Sequence, residues 1–346
     1  MNDLAIESLL VPLDQESPSG PDLEYDPDFL ALERAAVAKP ERVMGDEVKA
    51  AEEPDWDVVA DKARALLERS RDLRAAVHLA TASLRISGLA GWASGLGLIR
   101  GLLENFWDSV HPQLDVEDDN DPTARVNAVA FIADPQGALG YFVTTPFVQS
   151  PRLGRFSLRE LRIANGELKV APPADGEPPL PTMTEIDACC LDCDESQLAG
   201  SAQAVAAVLD HANAIDRIFT ERVGTAGPEL KPLLADAGEL KRFLDQQLAR
   251  RNPQAAEGSE AGGEAAEGDG STGGGGGNGR INGPQDVIRR IEELCAYYDR
   301  AEPSSPVPLL LRRAQRLVGK NFADLLKDLA PGGMSELQTI AGQSDE

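Results

Sequence analysis

Apolar residues recur at three- and four-residue spacing along most of this chain, the pattern of amphipathic helices packed on one another. After a lead over residues 1–20 that reads as extended or loosely helical, Asp26-Pro27 marks a helix start, with Asp26 as cap and Pro27 as first helical residue. Asp55 plays the same part before Trp56, and Val58, Val59, Ala63, Leu66 and Leu67 form one apolar face. Leu73, Val77, Ala80 and Leu84 predict a second helix over 73–84. A third, over 91–106, carries small residues and then Leu98, Leu102 and Phe106. A fourth starts at Asp121-Pro122 and runs past Phe131. Together these predict an antiparallel helical domain over residues 1–150.

The pattern changes over 151–171. Leu158, Leu161 and Ile163, then Asn165-Gly166, then Leu168 and Val170 read as a short β-hairpin with a tight turn. A proline-rich connector follows over 172–181. Helical spacing resumes over 194–223 through Leu198, Val205, Leu209, Ala212, Ile215 and Phe219. It returns over 228–250 through Leu233, Leu234, Leu240, Phe243, Leu244 and Leu248. This helical hairpin and the β-hairpin make a middle segment, 151–252. Residues 253–283 are mostly Gly, Ala, Glu and Ser, a composition that cannot bury a core and predicts a flexible linker with an r.m.s. span of roughly 30 Å.

Residues 284–346 form a small helical block. Its first helix, over 284–300, lines one face with Val287 or Ile288, Ile291, Leu294 or Cys295, and Tyr298. Pro303, Pro306 and Pro308 then impose a stiff corner, since none of them fits a helix interior. Pro306 or Pro308 suits the first turn of the next helix, which runs through Leu317; another is predicted over 322–329. A block this small has a marginal core alone. Leu309, Leu310 and Leu317 beside Arg312, Arg313 and Arg316 give a leucine and arginine stripe, and with Ile288, Ile291 and Tyr298 they are the candidate self-association surface. Arginine suits such a role because its planar fork binds carboxylates at two points.

The 346 residues carry a net charge of −25, which disfavours binding to nucleic acid or anionic membrane and favours basic partner surfaces. No run approaches the ~18 unbroken apolar residues of a membrane span, and no basic region precedes an apolar run at the N-terminus. Four cysteines in a chain of this length are not a disulfide framework, so reduced thiols in the cytoplasm are expected.

Sequence patterns for phosphate, metal and redox chemistry are incomplete in this chain. Gly319-Lys320-Asn321 lacks the other residues of a phosphate loop, and Gly95-Leu96-Gly97 with Gly101 lies in a helix with no βαβ unit around it. The acidic run Asp115–Asp121 has Asn120 and Val126 where a calcium loop needs glycine and a bidentate carboxylate. Cys190 and Cys193, with Cys189 adjacent, have no second pair or histidine to complete a zinc site. His78, His111 and His211 fall on separate elements. No catalytic, cofactor or metal residues are expected. Trp92, beside glycines at a helix start, is the candidate partner contact.

Several short motifs in shared order carry a family resemblance: Pro18-Ser19-Gly20-Pro21-Asp22-Leu23-Glu24-Tyr25-Asp26-Pro27-Asp28-Phe29, Pro54-Asp55-Trp56, Ser70-Arg71-Asp72-Leu73-Arg74 and Asp121-Pro122-Thr123-Ala124-Arg125-Val126-Asn127-Ala128. With the C-terminal block, they resemble the TssA (ImpA-related) proteins of bacterial type VI secretion systems over roughly two thirds of the chain. The resemblance implies a mainly α-helical, non-enzymatic cytoplasmic component. It implies self-association into rings, often of six-fold character, and contacts with baseplate, tube and spike, or sheath proteins. The short C-terminal block favours a baseplate-associated member. A cap at the distal sheath end, and an acidic adaptor or chaperone for basic clients, stay open as alternatives.

Overall fold

The computed structural model describes residues 6–39, 42–44, 47–49, 52–172, 179–251, 284–301 and 306–318. The predicted linker, the helix over 322–329 and Gly319-Lys320-Asn321 lie outside the described residues. The chain divides into two compact units, Met1–Glu264 and Ala265–Glu346.

In the first unit, α1 (Pro27–Ala36) starts as predicted, with the Asp26 side chain accepting from the Asp28 amide and Pro27 in the first turn. A small antiparallel hairpin, β1 (Arg42–Met44) and β2 (Glu47–Lys49), pairs Val43 with Val48. α2 (Trp56–Leu67) is capped by Asp55 and buries Val59, Ala60, Ala63, Leu66 and Leu67. Val58, expected on that face, is exposed.

α3 (Leu73–Phe106) is the centre of the core and contains one non-helical residue, Gly88, at φ 65° and ψ −148°. A straight helix would separate Ala80 from Gly95 by about 22 Å. Yet a Cβ at Gly95 would lie 2.5 Å from the Ala80 Cα, and one at Gly91 would overlap the Ser83 carbonyl. α3 is therefore two antiparallel arms reversing at Gly88, the two helices that the sequence predicts over 73–84 and 91–106. Only glycine takes that φ readily. The small residues along the arms let the backbones touch, which accounts for the glycines that resemble a dinucleotide motif. By length and composition this segment could cross a membrane, but 61% of its most apolar window is buried in the fold.

Trp92 sits on the second arm at 0% exposure. It is a core residue, and the expectation of a partner contact is corrected: the glycines beside it serve the arm-to-arm contact. Trp107 packs edge-on against Phe219 at 5.4 Å.

α4 (Thr123–Ala130) and α5 (Ala138–Thr144) follow. The hairpin expected over 158–170 is misplaced. The strands are β3 (Pro146–Ser150) and β4 (Gly154–Ser157), pairing Val148 with Phe156 and Ser150 with Gly154. Leu158–Ala164 is helix, α6. Ser157 and Glu160 form a capping box that starts it, Leu158 and Leu161 are buried one turn apart, and Asn165-Gly166 ends it instead of turning two strands. α7 (Met183–Asp192), which the sequence reading does not anticipate, opens on a second capping box, Thr182 with Glu185.

α8 (Glu195–Val223) and α9 (Lys231–Arg251) form the predicted helical hairpin. α8 lies along α3, in the most extensive helix contact of the fold. The boundary expected at residue 150 is thus no divide, since buried residues from Leu9 to Leu244 form one core. Side chains bind the middle segment together. Arg162 of α6 reaches Asp236 and Glu239 of α9 at 2.5 and 2.6 Å, and Gln247 of α9 donates to Asp187 of α7 at 2.7 Å.

Arg125 on α4 is fully buried and donates to three backbone carbonyls: Pro112 and Val110 at 2.9 Å and Trp107 at 2.7 Å. Its guanidinium lies over the Trp107 ring at 4.8 Å. Burial pushes it down to about 10. It ties α4 to the turn that leaves α3.

The second unit holds α10 (Pro284–Ala301) and α11 (Val307–Leu317). As predicted, Pro306 and Pro308 sit at the start of α11; Pro306 accepts from the Leu309 amide at 3.2 Å. Gln315 donates to Glu292 at 2.8 Å across the pair, and Cys295 is buried near the Pro308 carbonyl.

Two measurements test this core. Arg125→Met takes the donor from three buried carbonyls, each worth about 1–3 kcal/mol when left unsatisfied, and should lower the unfolding free energy by at least about 3 kcal/mol in urea denaturation. Trp92→Ala should cost about 3–5 kcal/mol in the same assay; an unchanged midpoint would return Trp92 to the surface.

Candidate assembly surfaces

The motif residues converge on one fastening. The Arg71 amide donates to the Ser19 carbonyl at 2.7 Å, and its guanidinium bonds the carbonyls of Val11 and Leu67. Ser70 Oγ donates to the Pro21 carbonyl at 2.7 Å, and a ring nitrogen of His111 meets the Gly20 carbonyl at 3.0 Å. Arg74 pairs with the buried Asp72 at 2.8 Å and with Glu24 at 3.0 Å, and covers the Phe29 ring at 4.6 Å. Burial alone would weaken its charge, but Asp72, Glu24 and Asp22 outweigh that and hold it firmly protonated. Arg69 adds pairs with Asp26 and Asp28 at 2.5 and 2.8 Å. These side chains strap the lead segment and α1 onto α2 and α3. They are spent on architecture and leave little for a partner.

The groups with chemical potential are equally committed. Cys189, Cys190 and Cys193 are buried and free. Burial pushes the Cys189 thiol up to about 11 and that of Cys190 up to about 12, so both stay protonated and poorly nucleophilic. Cys193 receives a contact from Arg251 at 3.5 Å. Burial lowers His78 and His211, and His211 fills the space beside Gly97. The acidic run uses its carboxylates as local caps: Asp115 accepts from the Glu117 amide and Asp121 from the Thr123 amide. Among the described residues no group of His, Cys, Asp or Glu could hold a metal ion.

In the second unit the candidate residues divide. Ile288, Ile291, Tyr298 and Leu317 are half-buried, and Cys295 rather than Leu294 turns inward. Leu309 and Leu310 remain 73% and 67% exposed on α11, which also exposes Arg312, Arg313 and Arg316. The first helix exposes Leu294 and Tyr297 as well, each at 49%. Tyr297 is the residue that the sequence reading overlooks; its aromatic neighbour Tyr298, packed edge-on at 5.4 Å, fits the helical period and drew the assignment. Two short helices thus leave four large apolar side chains in solvent beside a basic stripe, in a chain of charge −25. Hydrophobic residues scattered singly are ordinary on a surface; adjacent leucines this exposed on so small a unit are not.

Residues 10–134 match the family described as ImpA, N-terminal, type VI secretion system. The chain is 39% identical over 355 residues to the type VI secretion system component TssA1 of Pseudomonas aeruginosa, covering 99% of this chain and 100% of that protein. A solved structure, the N-terminal domain including the conserved ImpA_N region of the TssA component of the type VI secretion system from Burkholderia cenocepacia, aligns with a TM-score of 0.56 at 23% identity. That alignment covers 71% of this chain and 94% of the solved one and shows a shared, mainly helical fold. Near full-length identity at this level is decisive: the chain belongs to the TssA family of type VI secretion system components.

Proposed function

We propose that this protein is a non-enzymatic scaffold of the type VI secretion machine, assembled into a ring-like oligomer by its C-terminal unit and working at the baseplate. The observation that carries the reading is the exposure of Leu309 and Leu310 beside Arg312, Arg313 and Arg316 on α11. Burying a leucine contributes about 1.5–3 kcal/mol, which a single copy of α10 and α11 leaves unused. A second copy could cover the leucines and offer carboxylates such as those of α10 to the arginines. A ring would then display many copies of the N-terminal unit, raising the effective concentration of each for baseplate, tube and spike, or sheath proteins. The baseplate assignment rests on the family resemblance.

Light scattering after size exclusion tests the assembly step. The full chain should run as a large oligomer, and a chain stopped at Asn282 as a monomer or dimer. Leu309→Asp with Leu310→Asp should weaken the association of the full chain at least about tenfold, since losing each buried leucine removes more than the 1.4 kcal/mol that a tenfold change represents. Monomeric full chain at micromolar concentration would overturn the ring and favour the acidic adaptor.

A further inference from the structure

His211 of α8 sits in the seam with α3. A Cβ on Gly97 would lie 3.2 Å from its Nε2 and within 3.7 Å of two ring carbons, so the half-buried imidazole rests on the Gly97 backbone. Its Nδ1 is buried and has no hydrogen-bond partner among the described residues. One position earlier, Asp210 reaches across the seam to Arg100 of α3 at 2.9 Å, and Arg100 also holds Glu104 at 2.8 Å. The charges that act on the ring are therefore Arg100 and Glu104 from α3 and Asp210 from α8 itself. The lead segment meets α3 close by with an apolar side chain, Leu10 against Gly101.

A neutral imidazole carries one N–H and can keep Nδ1 as a bare lone pair, which costs little when buried. Protonation places a second N–H on that buried nitrogen, where no acceptor faces it, and an unsatisfied charged donor is expensive. Arg100 adds a like charge across the seam. Asp210 and Glu104 pull the other way, but both carboxylates are already engaged by Arg100. Burial first and Arg100 second hold the ring below the ordinary histidine range, against Asp210 and Glu104.

We propose that His211 makes the α3–α8 seam proton-sensitive: the ring lies neutral on Gly97 while α8 is seated, and acidification loosens α8 from the second arm of α3. Histidine is the one side chain that ordinarily titrates between pH 5 and 8, and here it stands in the most extensive helix contact of the fold. The sign follows from proton uptake. The unfolded chain binds a proton at His211 near pH 6.5, and the seated ring binds it only at lower pH. The seam therefore has its full strength above about pH 6.5 and loses it as pH falls from there through the lower value of the seated ring. His78, on the first arm of α3, is also lowered by burial, against Asp72, and provides the internal comparison. This device is independent of the C-terminal pair.

Hydrogen exchange read by mass spectrometry on the full chain, at pH 7.5 and 5.5 with labelling times scaled for the intrinsic rate, tests the proposal. In the wild type, protection over residues 195–223 should fall severalfold at pH 5.5, up to the about tenfold that one histidine with an unfolded value of about 6.5 can supply. Protection over residues 56–67, on the far side of α3, should fall less. His211→Gln, which keeps a neutral polar side chain, should remove the extra loss over 195–223, and His78→Gln should leave it in place. An equal loss in the wild type and His211→Gln overturns the proposal, as does a loss abolished by His78→Gln or one spread evenly over 56–67 and 195–223. Titration of the His211 ring by NMR reads the same device without any substitution: the midpoint should lie below about 6.5, and a midpoint at or above that value overturns the proposal even if His211→Gln fails to fold.

Discussion

The close approach of the two arms of α3 is the constraint on which the first unit depends. Gly95 lies so near Ala80 that no side chain fits between them, and Gly88 supplies the only backbone conformation that closes the reversal. With the arms in contact, their outer faces present one continuous apolar surface. α2 packs against it from the N-terminal side and α8 from the C-terminal side. Arms held apart by even one methyl group would split that surface and change the spacing that both partner helices fit, because packed interiors yield little.

Around this centre four arginines are turned inward. Arg71 and Arg125 are buried against carbonyls, and Arg74 and Arg162 are mostly covered by carboxylates. Arg313 and Arg316 of α11, by contrast, are exposed.

The caps at Asp26 and Asp55 and the start of α11 at Pro306 and Pro308 were legible in sequence because each is a local stereochemical requirement. The helices of α3, α8 and α9 were legible from apolar period. The β-hairpin was not, because Asn165-Gly166 suits a strand turn and a helix end equally well. The deciding residues, Ser157 and Glu160, lie upstream, and the same capping-box spacing at Thr182 and Glu185 announced α7. The boundary near residue 150 failed for a different reason: the contact of α8 with α3 is a long-range pairing that no local window contains. Trp92 failed because small neighbours look alike whether they expose a surface or let two backbones meet. In the second unit the period located Ile288, Ile291 and Tyr298. It could not tell which of Leu294 and Cys295 faces inward, since adjacent residues straddle the edge of an apolar stripe.

Arg125 has one more consequence. Its hydrogen bonds go to main-chain oxygens of Trp107, Val110 and Pro112, not to their side chains. Every residue carries such an oxygen, so the acceptor side of this clasp survives substitution at any of those positions that keeps the backbone path. The donor side has no such freedom, since only the arginine fork reaches all three. Evolution can rewrite the turn around this residue letter by letter while the lock it closes goes on holding.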